Sequence, residues 1–203
     1  CDLLFDLENA ERCNHTKFLN SLAWIMTLDP CEPLGFSDPI TSQLTNSLGE
    51  HKKCTEISST QPPLHNLYYW SAFLGFGEFI GGAHKKNEGS RLFMPNPCSI
   101  IERNLSKVFQ DKKSLGIGAF IRNLSNIIPV FDKGIIRNQI EILLPDEAKI
   151  KSDNVSKTLS YALKQLEFKK VITMEHEADA NKLILNFGFE MKNEPVSHIR
   201  RNS

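Results

Sequence analysis

The sequence predicts an α+β protein that is mainly helical and contains two winged helix-turn-helix modules in tandem. Most apolar residues recur at helical spacing, and at two places a helical stretch is followed directly by two short runs of strand-forming residues. A recognition helix followed by a hairpin wing is typical of a winged-helix module. The breaker Pro95-Asn96-Pro97 separates the two copies, which predicts modules over residues 1–94 and 95–203. An ordinary α+β packing unit is the alternative, since many small domains place a helix before a hairpin.

Composition limits the function classes. The 203 residues are 40% hydrophobic and 24% charged, which is typical of a globular protein large enough for one large domain or two small ones. The formal net charge is zero, so any nucleic-acid binding must come from a local patch. No apolar run approaches the ~18 residues of a membrane span, and no signal peptide is visible, so we expect no membrane partner.

Cysteine usage favours a reducing compartment. The chain begins with Cys rather than Met, which we interpret as a processed or trimmed chain that lacks an N-terminal segment; a mature lipoprotein is the alternative. The cysteine count is odd and no C-x-x-C pair occurs, so neither a disulfide framework nor a metal site is expected. A cytoplasmic location fits best. The cysteines are Cys1, Cys13, Cys31, Cys54 and Cys98.

In the first module the pattern predicts three helices. The first covers Thr16–Thr27 and ends before Pro30. The second begins at the capping signal Ser37-Asp38-Pro39 and ends near Leu48. After a polar connection, Leu64–Leu74 is aromatic-rich, and such a stripe is more often core than ligand cage, so we expect it to be buried.

The predicted first wing follows that aromatic helix. Glu78–Ile80 and Arg91–Met94 are expected to pair as a hairpin with a glycine-rich tip. Lys85 and Lys86 lie in this tip, where they are candidates for contact with a DNA backbone.

The second module is predicted to contain four helices and a second wing. A helix follows Pro97, with either Asn96 or Ser99 as its cap. Two more are expected, and the fourth carries the recognition role. The wing after it is predicted from Val171–Glu175 and Leu183–Phe187. The later helices are Gly116–Asn126, Ile135–Leu144 (helix favoured over strand) and Ser156–Glu167.

Four stretches together resemble accessory proteins of bacterial phage-defence islands. They are YWSAFLGFG, FMPNPCSIIERNL, FIRNLSNIIPVFDKG and LSYALKQLEFKKVITMEHEADA. The resemblance, from about Thr16 to Leu185, is to the family of the G component of the Dpd 7-deazapurine DNA-modification and restriction system. It implies a DNA-targeting defence complex in which this chain is a non-catalytic partner of other subunits. The shared motifs are packing motifs, and no functional residue is carried over from them.

Catalytic signatures are missing from the sequence. His176-Glu177-Ala178-Asp179 begins like a zinc-protease motif, but Ala180 stands where a second histidine is needed. No nucleophile elbow, Walker A motif or dinucleotide fingerprint occurs. We therefore expect no enzyme activity, no cofactor and no metal.

Binding is the remaining function class. From Lys157 to Lys170 there are four lysines and one glutamate, which suggests double-stranded DNA as partner. The alternatives are a protein-interaction scaffold that does not touch DNA and a merely solvated face, and the acidic tip of the second wing argues against deep DNA contact. The helix residues expected to face outward and bind DNA are Lys157, Ser160, Tyr161, Lys164 and Gln165.

Overall fold

The computed structural model describes residues 4–6, 8, 11, 15–35, 40–57, 61–81, 91–188 and 191–202. Within these residues the chain is about half helical and also forms small sheets, so the predicted α+β class with a large helical content is confirmed. Lys85 and Lys86, in the predicted tip of the first wing, lie outside the described residues. Their assignment to DNA stays a prediction.

Seven α-helices fall in the described part of the chain. Each of the predicted helices is present, and the bounds that can be compared differ from the predicted ones by a few residues. The capping signal Ser37-Asp38-Pro39, predicted to begin the second helix, lies outside the described residues. A 3₁₀ turn over Gly49–Cys54 follows the second helix, and another covers Asp146–Ala148. The helices are α1 (Thr16–Ile25), α2 (Ile40–Leu48), α3 (Gln61–Leu74), α4 (Cys98–Phe109), α5 (Ile117–Ile127), α6 (Ile135–Leu143) and α7 (Lys157–Phe168).

The strands form three small sheets. Their orders are β1-β3-β2, β4-β9-β6 and β5-β7-β8, and every pairing is antiparallel except β5 with β7. The strands are β1 (Leu34–Gly35), β2 (Gly77–Ile80), β3 (Leu92–Pro95), β4 (Ser114–Gly116), β5 (Asn154–Val155), β6 (Ile172–Glu175), β7 (Leu183–Leu185), β8 (Glu194–Val196) and β9 (His198–Arg201).

The structure contains the strand pair of the first predicted wing but not that of the second. β2 and β3 pair antiparallel with Phe79 opposite Phe93, so the first wing is confirmed as a strand pair. The second wing is wrong as predicted, because β6 does not pair with β7. Instead β6 pairs with β9, with Met174 opposite Ile199, while β7 pairs with β8. β9 comes from the end of the chain and was not predicted.

One hydrophobic core runs through both halves of the described chain. α1 packs against α6, and the side chains of Trp24, Phe93, Phe120 and Leu163 belong to one contiguous buried cluster. The proposed boundary at residues 95–97 stays a prediction, and apolar packing continues across it. The two halves therefore share contacts that position the candidate site.

Candidate functional site

Helix α7 lies within one residue of the predicted bounds at each end. Ser156 is its N-cap, and the serine hydroxyl accepts a hydrogen bond from the Leu159 backbone N–H at 3.4 Å. Leu159, Leu163 and Leu166 form the buried stripe. The face opposite that stripe carries the residues predicted to bind DNA, and it is largely covered.

Ser160 is fully buried, so the expectation that it faces outward is wrong. Its hydroxyl accepts a hydrogen bond from the Asn186 backbone N–H at 2.9 Å and lies 3.5 Å from the Val155 carbonyl oxygen. The segment after β7 covers this side of α7, and its backbone amide needs a partner once water is excluded. Ser160 therefore joins α7 to that segment.

Lys157 forms an ion pair with the first half of the chain, residues 1–94. Its ammonium donates a hydrogen bond to the Asp29 carboxylate, and the neighbouring Thr158 hydroxyl donates to the Leu28 carbonyl oxygen at 2.7 Å. Both charges are about one-third exposed or less, with relative side-chain exposures of 34% for Lys157 and 22% for Asp29. The positive charge of Lys157 is thus compensated within the chain.

Lys164 is compensated by two carboxylates. Its ammonium lies 2.8 Å from a Glu194 oxygen and 3.0 Å from a Glu167 oxygen. Desolvation by burial lowers the pKa of Lys164, but the hydrogen bonds to Glu194 and Glu167 outweigh it and the net pKa is raised. The side chain is consequently a partner of β8 rather than an open phosphate ligand.

Tyr161 and Gln165 border a groove between the two halves. The Tyr161 hydroxyl donates to the Phe187 carbonyl oxygen at 3.0 Å and accepts from the Cys31 thiol at 3.2 Å. Gln165 is exposed. The groove has a volume of about 410 Å³, and Glu78 of β2 also lines it. Of the helix residues predicted to bind DNA, Gln165 alone is classed as exposed in this structure.

The aromatic face of α3 is the surface that sequence analysis missed. Tyr68 is buried and stacks on Phe93 with ring centroids 4.8 Å apart, as expected of core. Three other aromatic residues were also expected to be buried, and this is wrong: Tyr69 is 47% exposed, Trp70 56% and Phe73 74%. The available signal was that aromatic residues occur on both sides of the helix, which exceeds the stripe one core face requires.

Aromatic contacts order this exposed face. The rings of Trp70 and Phe73 meet edge to face with centroids 5.7 Å apart. The Arg91 guanidinium lies 4.1 Å from the Phe79 ring centroid, and it donates a hydrogen bond to the Tyr69 hydroxyl at 3.3 Å. A planar cation therefore lies at the rim of an apolar surface. We call Tyr69, Trp70 and Phe73 together with Arg91 the aromatic face.

The described residues contain neither a metal-ligand cluster nor a membrane-spanning helix. No three His, Cys, Asp or Glu side chains there lie close enough together to hold a metal ion. No helix in that part of the chain combines the length and the apolar character that crossing a membrane requires.

Comparison with known protein families matches the resemblance seen in the packing motifs. A family model described as DpdG-like matches residues 1–180. The chain belongs to the DpdG-like family. The matched range contains α1 to α7 and ends before β7, so it includes both the aromatic face and the covered face of α7. Comparisons with curated proteins and with solved structures gave no match.

Proposed function

We propose that this DpdG-like chain is a non-catalytic docking subunit of a Dpd-type DNA-targeting defence assembly, and that it binds another subunit through its aromatic face. Membership of the family supports the defence context. The observation that carries the docking role is the exposure of Trp70 and Phe73, at 56% and 74%, on the same helix as Tyr69, whose hydroxyl accepts a hydrogen bond from Arg91. Scattered apolar residues are normal on a surface, whereas several aromatic residues grouped on one helix face are typical of an interaction site.

The composition of the aromatic face fits a protein partner. Trp, Tyr and Arg are the residue types that dominate binding energy at protein interfaces. The guanidinium of Arg91 is stacked on Phe79 and bonded to Tyr69, so little side-chain entropy is left to lose on binding. The complementary surface is an apolar helix that carries a carboxylate near Arg91.

The covered face of α7 supports docking over DNA contact. Lys157 and Lys164 are the two lysines of α7 that were expected to bind DNA. Both are bonded to carboxylates of this same chain. A phosphate would have to displace Asp29, Glu167 or Glu194, so part of the gain from a new ion pair would be lost. The zero net charge of the chain provides no attraction to offset this loss.

DNA binding by a winged helix is the second candidate, because of the topology of residues 98–201. These run through α4, β4, α5, α6, β5, α7, β6, β7, β8 and β9, and β4, β9 and β6 form one sheet in the order β4-β9-β6. A winged helix likewise places its first strand beside its last, with the recognition helix before the second strand. In this arrangement α7 is the recognition helix, α6 is an addition, and residues 176–197 extend the wing.

The docking role is tested by binding between this chain and each other component of a Dpd-type system, purified separately. Replacing Trp70 and Phe73 by Ser removes apolar surface that is already exposed, so the chain should still fold. An interface hot spot contributes about 2 kcal/mol, so even one lost hot spot raises Kd about 30-fold. The matched control replaces Ile142 and Phe168, which are 74% and 91% exposed on other helices, and should leave Kd unchanged.

Two outcomes contradict the docking proposal. One is an unchanged Kd with every component when both aromatic residues are replaced. The other is loss of self-association in the double variant, measured by sedimentation, with no effect on any other component. That second result would assign the aromatic face to contact between copies of this chain.

A further inference from the structure

Strands β4, β6 and β9 bring exposed basic side chains to one corner of their sheet. The Arg201 backbone N–H donates to the Lys113 carbonyl oxygen at 2.9 Å, and the Asn202 N–H donates to the Val171 carbonyl oxygen at 3.0 Å. The Asn202 side-chain amide also donates to the Lys170 carbonyl oxygen at 2.9 Å, so three chain segments are fixed side by side. The basic corner consists of Lys112, Lys113, Lys170 and Arg201, all exposed.

The positive charges of the basic corner are not compensated by carboxylates, whereas those of Lys157 and Lys164 on α7 are. Within the described residues, none of its four basic side chains makes an ion pair. Among the acidic residues near the corner, Glu175 already forms an ion pair with Arg200 at 2.8 Å. Asp111, which precedes Lys112 in the chain, is then the carboxylate beside the corner. A local excess of positive charge therefore remains on a molecule whose net charge is zero.

Backbone conformation points to the same corner. Lys170 has a φ of 59° and Gln110 a φ of 51°, both in the left-handed region that favours glycine. They are two of the three non-glycine residues with positive φ in the described chain, and each stands at a turn leading into the corner. Lys170 occupies the position after α7 where helices commonly have glycine. The chain keeps a charged side chain there in spite of the strain.

We infer that the basic corner binds the phosphate backbone of duplex DNA without reading the base sequence. Adjacent strands lie about 4.8 Å apart, so the three segments span about 10 Å. Phosphates along one strand follow at a rise of about 3.4 Å, so the corner covers about three nucleotides. Lysine and arginine at fixed backbone positions are suited to phosphates, which position a protein but carry no sequence information. The inference goes beyond the docking role and does not depend on it.

A salt titration of DNA binding tests this inference. Fluorescence anisotropy of a random-sequence duplex is measured with the full chain and with the double variant Lys113→Gln, Arg201→Gln. Each lost phosphate contact lowers the magnitude of the salt slope by about 0.9, so the slope should fall by about 1.8. The matched control, Lys53→Gln with Lys151→Gln, makes the same change in net charge at exposed positions elsewhere and should leave the slope unchanged.

A second variant separates binding from folding. Lys170→Gly relieves the left-handed strain at the end of α7, so its melting temperature should equal or exceed that of the parent. Its affinity for the duplex should nevertheless fall, because one phosphate contact is lost. Replacing Trp70 and Phe73 by Ser should leave the salt slope intact, which distinguishes this inference from the docking proposal.

Four results would overturn the inference. They are no binding to the duplex at low salt, an equal loss of slope in the control pair, unchanged affinity of Lys170→Gly, and binding to phosphatidylserine vesicles that depends on the corner while duplex binding does not. The last result would assign the corner to an anionic lipid surface.

Discussion

Removing the Asp132 carboxylate should destabilise the whole fold, because it joins the α5–α6 loop to the start of α7. One of its oxygens accepts a hydrogen bond from the Ser156 backbone N–H at 2.7 Å, and the other lies 3.8 Å from the Arg137 guanidinium. The side chains of Arg137 and Asp132 are 1% and 6% exposed, and Arg137 reaches one further carboxylate, Glu141, at 3.4 Å. Asp132→Ala therefore leaves a buried cation half-compensated and a backbone donor without a partner.

The size of the effect follows from that burial. Breaking a buried ion pair by removing one partner costs about 3–5 kcal/mol. In a chain of this size 1 kcal/mol corresponds to about 2–4 °C, so the melting temperature should fall by about 6–20 °C. Asp132→Asn should be intermediate, since its amide oxygen can still accept from Ser156. The exposed Asp179→Asn is the control, and it should stay within about 0.5 kcal/mol of the parent.

Urea unfolding, monitored by circular dichroism, measures the free energy of unfolding of each variant directly. A loss in Asp132→Ala no larger than that in Asp179→Asn would refute the argument. It would mean that the Asp132–Arg137 pair, at a separation beyond hydrogen-bond distance, does not compensate the buried charge.

Three further predictions concern single side chains. The raised pKa of Lys164 contributes stability that is fully present below pH 10.5 and is lost as the pH rises above it, so Lys164→Met should flatten the fall in the urea midpoint above pH 10.5; an equal fall in both chains would contradict this. Iodoacetamide should modify the exposed Cys31 before the buried Cys98, because burial raises the pKa of the Cys98 thiol. Mass spectrometric mapping that shows the reverse order of modification would contradict this prediction. Gly134→Ala should lower the melting temperature, because an added Cβ would clash with the Pro129 carbonyl oxygen. Gly118→Ala is the control, because the atom nearest to its added Cβ is 3.9 Å away, and equal melting temperatures of the two variants would contradict this prediction.

Much of the helical structure was accessible from the sequence, because helical periodicity is a local property. The stripe of Leu159, Leu163 and Leu166 together with the Ser156 cap predicted α7 within one residue at each end. β2 and β3 were also found, since each is a short strand-forming run and the two are neighbours in the chain order. These signals need no knowledge of distant residues.

The burial and bonding of the α7 side chains could not be predicted from the sequence, because both depend on contacts between residues that are far apart in the chain. Asp29 and Lys157 are 128 residues apart, and nothing local to either indicates that they bond. Ser160 is polar and lies off the leucine stripe, so it was expected outside, but a backbone amide after β7 meets it in the core. β6 likewise takes a partner from the end of the chain in place of its neighbour, and local patterns do not encode that choice.

Exposure of the aromatic face was missed for a related reason. Aromatic residues are mostly core, and α3 supplies both buried and exposed ones within one helical turn. Tyr68 faces Phe93 while the adjacent Tyr69 faces outward. Separating the two requires knowing which side of the helix β2 and β3 cover.

The docking role is tested most directly by labelling this chain with 5-fluorotryptophan and recording ¹⁹F spectra with and without the other components. The chain has two tryptophans: Trp24 is fully buried, with its indole N–H donating to the Ser47 hydroxyl, and Trp70 is 56% exposed. Trp70→Phe assigns the two resonances. The docking proposal predicts that one component shifts the Trp70 resonance and abolishes its D₂O isotope shift while Trp24 is unchanged. A Trp70 resonance that keeps its solvent response in the assembled complex would contradict the proposal.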